Sequence, residues 1–223
     1  MMRLTFNLLL LMAFSIGLIS CKKPSEKLPE LPQAVTKETE NGMALLYVAG
    51  TGNLGIARNL LDQGVDVNFR GKENNTPLME AAYAGNVEMV KFLLSRGADV
   101  SAKKHDGATP VTLSSNQEIS NLFKNVTDLV ATASRGDNKT LQQLIERGIP
   151  LNAVDQNGQT ALSESCWNGH INTVRLLLEN GADPSIKKPD GETPLTLAVA
   201  RKHPDIVALL NGTTSKQPGQ HSK

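Results

Sequence analysis

The sequence predicts an all-α solenoid built from helix-turn-helix units with β-hairpin connections. Three observations predict it. Thr76-Pro77-Leu78 recurs as Thr109-Pro110-Val111, Thr160-Ala161-Leu162 and Thr193-Pro194-Leu195. Gly97-Ala98-Asp99 recurs as Gly181-Ala182-Asp183, and more loosely as Gly64-Val65-Asp66 and Gly148-Ile149-Pro150. Neighbouring copies stand about 33 residues apart, a period at which each repeat is one supersecondary unit. Aromatic residues make up only 4% of the 223, with a single Trp. Such a composition suits thin stacked layers of Leu, Val and Ala.

One unit justifies its elements in order. Thr76 can cap the first helix, and Pro77 at its first position gives up no needed N–H. Ala81 and Ala82 keep that helix thin, so neighbouring units approach closely. Gly85 turns the chain. Val87, Val90, Leu93 and Leu94 form the apolar stripe of the second helix. Gly97 ends it as a C-cap. Asp99 to Gly107 is expected to form a hairpin, with Asp106-Gly107 as its turn signal. No unit can bury its apolar face alone, so stability must come from stacking.

The run from Thr76 reads Thr-Pro-Leu-x-x-Ala-Ala-x-x-Gly-Asn-x-Glu-x-Val-x-x-Leu-Leu-x-x-Gly-Ala-Asp. It resembles the ankyrin-repeat consensus along its whole length. Six units are expected: 41–75, 76–108, 109–126, 127–159, 160–192 and 193–212. The first has Met43-Ala44 where Thr-Pro would stand. The third is short, and the fourth opens on the degenerate Thr127-Asp128-Leu129. The sixth closes the array with a second helix near Pro204 to Leu210.

A longer period lies over the first. Ser101, Lys103-Lys104, Asp106-Gly107 and Thr112-Leu113 return 84 residues later as Ser185, Lys187-Lys188, Asp190-Gly191 and Thr196-Leu197. Several of these are not consensus residues, so a three-unit block has been duplicated. The third unit then reads as a former C-terminal cap, now internal. It lacks about three residues near Asn116-Gln117 by comparison with the regular period. A bend or weak joint is expected over residues 114–126.

The ends read differently. Met1-Met2-Arg3 precedes an apolar run from Leu4 to Ile19, the layout of a secretory signal peptide. An uncleaved anchor helix is the alternative, since the run approaches the minimum span of roughly 17 residues. Leu18-Ile19-Ser20-Cys21 resembles the lipobox of bacterial lipoproteins. That resemblance implies a signal peptide over 1–20, cleavage between Ser20 and Cys21, and lipidation of Cys21. Lys22, where an Asp would mark inner-membrane retention in the enterobacterial scheme, favours the outer membrane. Residues 21–40, rich in Pro and charge, are expected to be a disordered tether with an r.m.s. reach of roughly 25 Å. The tail 213–223 is expected to be disordered as well.

Nothing here carries catalysis. A net charge of +1 gives no pull toward nucleic acid or acidic lipid. His170 follows Gly169 as in the consensus and reads as structural. Cys166 sits at the second Ala position, a small buried site, and is expected to be inert. Asp66, Asp99 and Asp183 each open a connection and read as turn chemistry. No phosphate loop, nucleophile elbow or metal spacing is present, so neither a cofactor nor a metal is expected. The pairs Lys103-Lys104 and Lys187-Lys188 read as solvated tips beside acidic residues.

What remains is binding. The ankyrin resemblance implies partner contact through the connection tips and the concave face of the first helices. Tyr83 and Trp167 follow the Ala-Ala position and are equivalent under the duplication; Arg135 stands one unit before Asn168. Exposed Trp, Tyr and Arg are enriched among interface hot spots. Tyr83, Trp167 and Arg135 are therefore the expected anchors, with Lys72, His105, Asp106, Gln156 and Asn157 supplying specificity from the tips. The expected function is a monomeric, membrane-tethered protein-binding scaffold. Two alternatives stay open: an accessory inhibitor or stabiliser of a periplasmic oxidative-stress enzyme, and a surface protein that contacts a host.

Overall fold

The computed structural model describes residues 37–155 and 157–214. The expected signal peptide, the Ser20–Cys21 cleavage site, Gln156 and the residues beyond 214 lie outside them. The described chain is helical throughout: α1 (Lys37–Thr51), α2 (Leu54–Asp62), α3 (Pro77–Tyr83), α4 (Val87–Ser95), α5 (Pro110–Leu113), α6 (Gln117–Arg135), α7 (Asn138–Glu146), α8 (Ala161–Asn168), α9 (Ile171–Glu179), α10 (Pro194–Ala200) and α11 (Pro204–Thr214). No described helix is long and apolar enough to cross a membrane.

The local chemistry sets the helix starts. Thr76, Thr109, Thr160 and Thr193 each accept a backbone N–H three residues on, and Pro77, Pro110 and Pro194 open their helices. Asn53, Asn86 and Asn116 cap the second helices in the same way. α1 starts at Lys37, four residues inside the expected tether. Glu38 and Glu40 in its first turn suit a helix N-terminus as well as they suit a solvated linker. α11 likewise continues two residues past the expected end of the array, to Thr214.

The first helices pack in two series, α1 on α3 on α5, and the second half of α6 on α8 on α10. Their second helices lie beside them. Between the layers sits a core of Leu45, Leu78, Leu93, Leu94, Leu129, Leu141, Leu162 and Leu177, with Ala49, Ala81, Ala82, Ala133 and Cys166 where backbones come close. Of the predicted α4 stripe, Val90, Leu93 and Leu94 are buried, and Val87 is half-buried.

The connections are turns, not stranded hairpins. The single β-type pairing among the described residues is an isolated bridge. The expected turn at Asp106-Gly107 is present: Gly107 N–H donates to Lys104 O at 3.0 Å, and Lys104 N–H to Ala108 O at 2.9 Å. The same turn recurs at Lys188 and Glu192. Asp99 and Asp183 each accept the N–H and hydroxyl of the serine two residues on. That repetition, 84 residues apart, carries the block duplication into hydrogen bonding.

The middle of the chain departs from expectation. α5 is only four residues long. α6 then runs 19 residues without interruption, from the Asn116 cap to the left-handed Gly136. It joins the second helix of the third unit to the first helix of the fourth, so a unit boundary at 126 and 127 falls inside a helix. The reason is local. Between Gln117 and Arg135 there is no Gly or Pro to stop the helix. The hydroxyl of Thr127, which would cap a new helix, instead donates backwards to Phe123 O at 3.4 Å. The expected joint is a continuous helix preceded by a truncated one.

With no connection between the third and fourth units, the turns of the two blocks meet. Val100 N–H donates to Val154 O at 3.3 Å, and Val154 N–H to Ala98 O at 3.4 Å. Asn68 and Asn152 occupy equivalent positions, and each side-chain oxygen accepts the N–H of the next unit's Asp99 or Asp183. The amide nitrogens then diverge. That of Asn68 donates one unit on, to Gly97 O, whereas that of Asn152 crosses to Ser95 O of the first block.

Candidate protein-binding face

Tyr83 ends α3 with its ring outward, 74% exposed. It lies immediately after Ala81 and Ala82, whose side chains are fully buried against the neighbouring first helices. Trp167 holds the equivalent place on α8, after the buried Ser165 and Cys166. It is 36% exposed, because the Arg201 guanidinium lies 3.8 Å from its ring centroid. A cation over an indole face is held by the ring quadrupole. Arg201 falls at the next unit's version of the position held by Asn168 and Arg135. Extending the unit alignment by one step would have found it.

Arg135 is exposed at the end of α6, with one guanidinium N–H 3.5 Å from the Thr132 hydroxyl. It therefore stands in the same series of first helices as Trp167. The tip residues are not one cluster. Lys72 is exposed and lines a surface hollow with Met43 and Tyr47. His105 is exposed, and its backbone N–H donates to Glu73 O. Asp106 is exposed but accepts the N–H of Ala108, so it holds its own turn. Asn157 is exposed and its N–H donates to Asp155. Gln156 lies outside the described residues.

Sequence reasoning passed over Tyr47, 74% exposed on α1, and Val199, exposed on α10. Tyr47 sits where the next unit has Glu80, so alignment to the repeat gave it no aromatic neighbour. Val199 stands at the position of Cys166 in the unit before. Cys166 is fully buried beneath α10, whereas among the described residues no further first helix packs above Val199.

Two histidines link neighbouring units. His170 Nε2 lies 2.9 Å from Ser134 O, and His203 Nε2 lies 3.3 Å from Trp167 O, one unit later. Each imidazole ties a unit to the end of the previous first helix. Gly136 and Gly169 at those helix ends have φ of 69° and 79°. A Cβ at either glycine would meet the following imidazole at 2.8 or 2.5 Å. Burial pushes the Cys166 thiol up to about 12, so it stays protonated and inert at neutral pH. Lys104 pairs with Glu73 at 3.1 Å, and Lys188 with Asp190 and Glu192 at 3.0 and 2.8 Å. Hydrogen bonds to those carboxylates raise both ammonium pKa values. The second lysine of each pair is thus neutralised locally, and Lys103 and Lys187 remain exposed. Among the described residues no group of three His, Cys, Asp or Glu could hold a metal.

Comparison with known proteins agrees with this architecture. The family model for ankyrin repeats (3 copies) matches residues 18–104 and 129–217. Between the two matches lies the stretch that holds α5 and most of α6. An ankyrin repeat-containing protein of Treponema pallidum is 34% identical over 111 residues, 44% of this chain and 37% of that protein. The 2-5A-dependent ribonuclease of Mus musculus is 37% identical over 73 residues, 32% of this chain and 10% of the ribonuclease. The L-asparaginase of Dirofilaria immitis is 33% identical over 100 residues, 44% of this chain and 17% of the enzyme. The chain thus spans 37% or less of these relatives' own lengths, and its likeness to the two enzymes is a likeness of repeats. Matched by the family model over well more than half its length, the chain belongs to the ankyrin-repeat family.

Proposed function

We propose that this protein is a monomeric binding scaffold, tethered in the bacterial cell envelope outside the cytoplasm, with the outer membrane favoured, by a lipid on Cys21, and that it grips a partner protein with its first-helix face. One observation carries the binding half. The same position in both blocks bears an exposed aromatic ring, Tyr83 at 74% and Trp167 at 36% beside Arg201, directly after two fully buried residues. A core role would hide such rings, whereas rigid exposed aromatics give large contact area at small entropic cost. Arg135 and Arg201 flank the same series of first helices and add cationic contacts. The anchor half rests on the lipobox-like Leu18-Ile19-Ser20-Cys21 after an apolar run. Two or more acyl chains at one residue suffice for stable membrane attachment.

Two measurements test this. The full chain is used to capture partners from native cell envelope, and binding is compared with the Tyr83→Ala/Trp167→Ala variant. Loss of about 2 kcal/mol with an unchanged helical spectrum is expected. Unfolding of the variant would place the rings in the core and sink the reading; so would undiminished affinity. For the anchor, cells are fed radiolabelled palmitate. The wild-type chain should take up label and sediment with membranes, and Cys21→Ser should do neither. Equal labelling of both chains overturns the anchor.

A further inference from the structure

We infer that the cleft at the joint between the blocks is a second, separate docking site, which takes an extended segment of a partner protein carrying an apolar side chain beside carboxylates. The cleft has a volume of about 550 Å3 and lies between the 100–109 turn, α6 and Asn157. It exists because the third unit is truncated. Val111 follows Pro110 where the regular units have Leu78 and Leu162. Those two leucines are 1% exposed, and Val111 is 45% exposed. In a complete array the next first helix would cover this residue. Here the chain after α5 continues into α6, which packs against α5 but leaves Val111 exposed. Val100 and Phe123, both buried, extend the apolar floor.

Charge selects the occupant. Lys103 and Lys124 stand on the lining from opposite sides, one on the turn and one on α6, and both are exposed. No carboxylate lines the cleft. The nearby Asp99 and Asp155 accept hydrogen bonds from Ser101 and Asn157 within their own turns. The hydroxyls of the lining already donate inside the fold, as Ser101 to Asp99, Ser120 to Asn116 O and Thr127 to Phe123 O. Asp128, one helical turn from Lys124, is exposed on α6 but does not line the cleft. Two cations on a lining without carboxylates, above an apolar floor, give a positive potential that complements acidic side chains. A cleft of this volume holds a few side chains, so it fits an extended segment and not a folded domain.

The site shares no residue with the Tyr83 and Trp167 face, so the two can be tested apart. The experiment selects a phage-displayed random heptapeptide library on the full chain, then measures selected peptides by fluorescence anisotropy. Peptides pairing Leu or Phe with Asp or Glu are expected. Their affinity should fall at least about tenfold in Lys103→Glu/Lys124→Glu and in Val111→Lys, since rim charge and floor both contribute. Affinity should not change in Tyr83→Ala/Trp167→Ala. Thermal melts must show that the cleft variants remain folded, and Lys103→Arg/Lys124→Arg should retain binding. Selection of basic or charge-free peptides overturns the proposal. It is equally overturned if acidic peptides bind the charge-reversed chain as well as the wild type. Self-association of the chain lost in Val111→Lys would assign the cleft to a second copy. Binding to phosphatidylglycerol vesicles lost in the lysine variant, without peptide binding, would assign it to lipid; either result rejects a peptide site.

Discussion

Asp128→Pro separates two accounts of the chain's middle. In the repeat alignment Thr127-Asp128-Leu129 stands where Thr-Pro-Leu opens a unit, so proline at 128 restores the family pattern. Were Thr127 the cap of a separate helix, the change would be neutral or mildly stabilising. In the fold, residue 128 is the twelfth of a 19-residue helix. Proline there removes the N–H that bonds the carbonyl of Lys124 and drives its ring into that carbonyl. The loss is about 3 kcal/mol or more in a helix interior. Asp128 is exposed, so little side-chain packing is lost with it. The ruptured segment also lies beside Leu129 and Val126, both fully buried, which adds to the cost. The assay is urea unfolding of the full chain followed by far-UV circular dichroism and by fluorescence of Trp167, which sits on α8 packed against α6. Asp128→Ala is the control and should stay within about 0.5 kcal/mol of the wild type. A proline variant within about 1 kcal/mol of that control would refute a continuous α6.

Other consequences can be measured on the same protein. Arg201→Ala should remove the cation from the indole face, costing about 0.5–1 kcal/mol and raising acrylamide quenching of Trp167; unchanged quenching would mean that the contact is not formed in solution. Gly169→Ala should destabilise more than Gly181→Ala. Both have left-handed φ, which costs about 1–2 kcal/mol for a side chain, but only at Gly169 would the new Cβ also strike an imidazole. Equal melting temperatures would contradict this. Burial holds the Cys166 thiol above its ordinary 9.0, at about 12. The unfolded chain therefore loses that proton first. Its contribution to stability is full below pH 9.0 and declines as pH rises toward 12. Cys166→Ala should make stability fall less steeply across that window, and an unaltered slope would show the thiol to be accessible.

The two blocks differ in what they do with the same residues. Asn68 and Asn152 begin from the same sequence position and make the same bond to the next unit's aspartate. Only Asn152 faces another block, and its amide nitrogen leaves the regular series to reach Ser95 O. The truncated third unit thus does more than shorten the array. It brings together two sets of turns that a regular solenoid would keep apart, and it uncovers Val111.

Much of this was determined by the sequence alone. The 33-residue spacing, the Thr-Pro starts and the glycines of the turns specify unit type and the starts of α3, α5, α8 and α10, because capping and backbone conformation act over a few residues. The 84-residue echo and the shortfall near Asn116 were legible for the same reason. The position of Tyr83 and Trp167 after a buried pair raised an outward placement as an expectation, and the structure exposes them at 74% and 36%. Tertiary structure decided the rest. The lack of Gly or Pro between Gln117 and Arg135 permits a continuous helix, but whether Thr127 caps a helix or lies within one also depends on which neighbours stack on either side. The cover of Arg201 over Trp167, the crossing bond of Asn152 and the cleft at Val111 all join residues that local spacing leaves unrelated. Stacking energy is shared between units, so the geometry at a break in the repeat is set by the whole array together with the residues at the break.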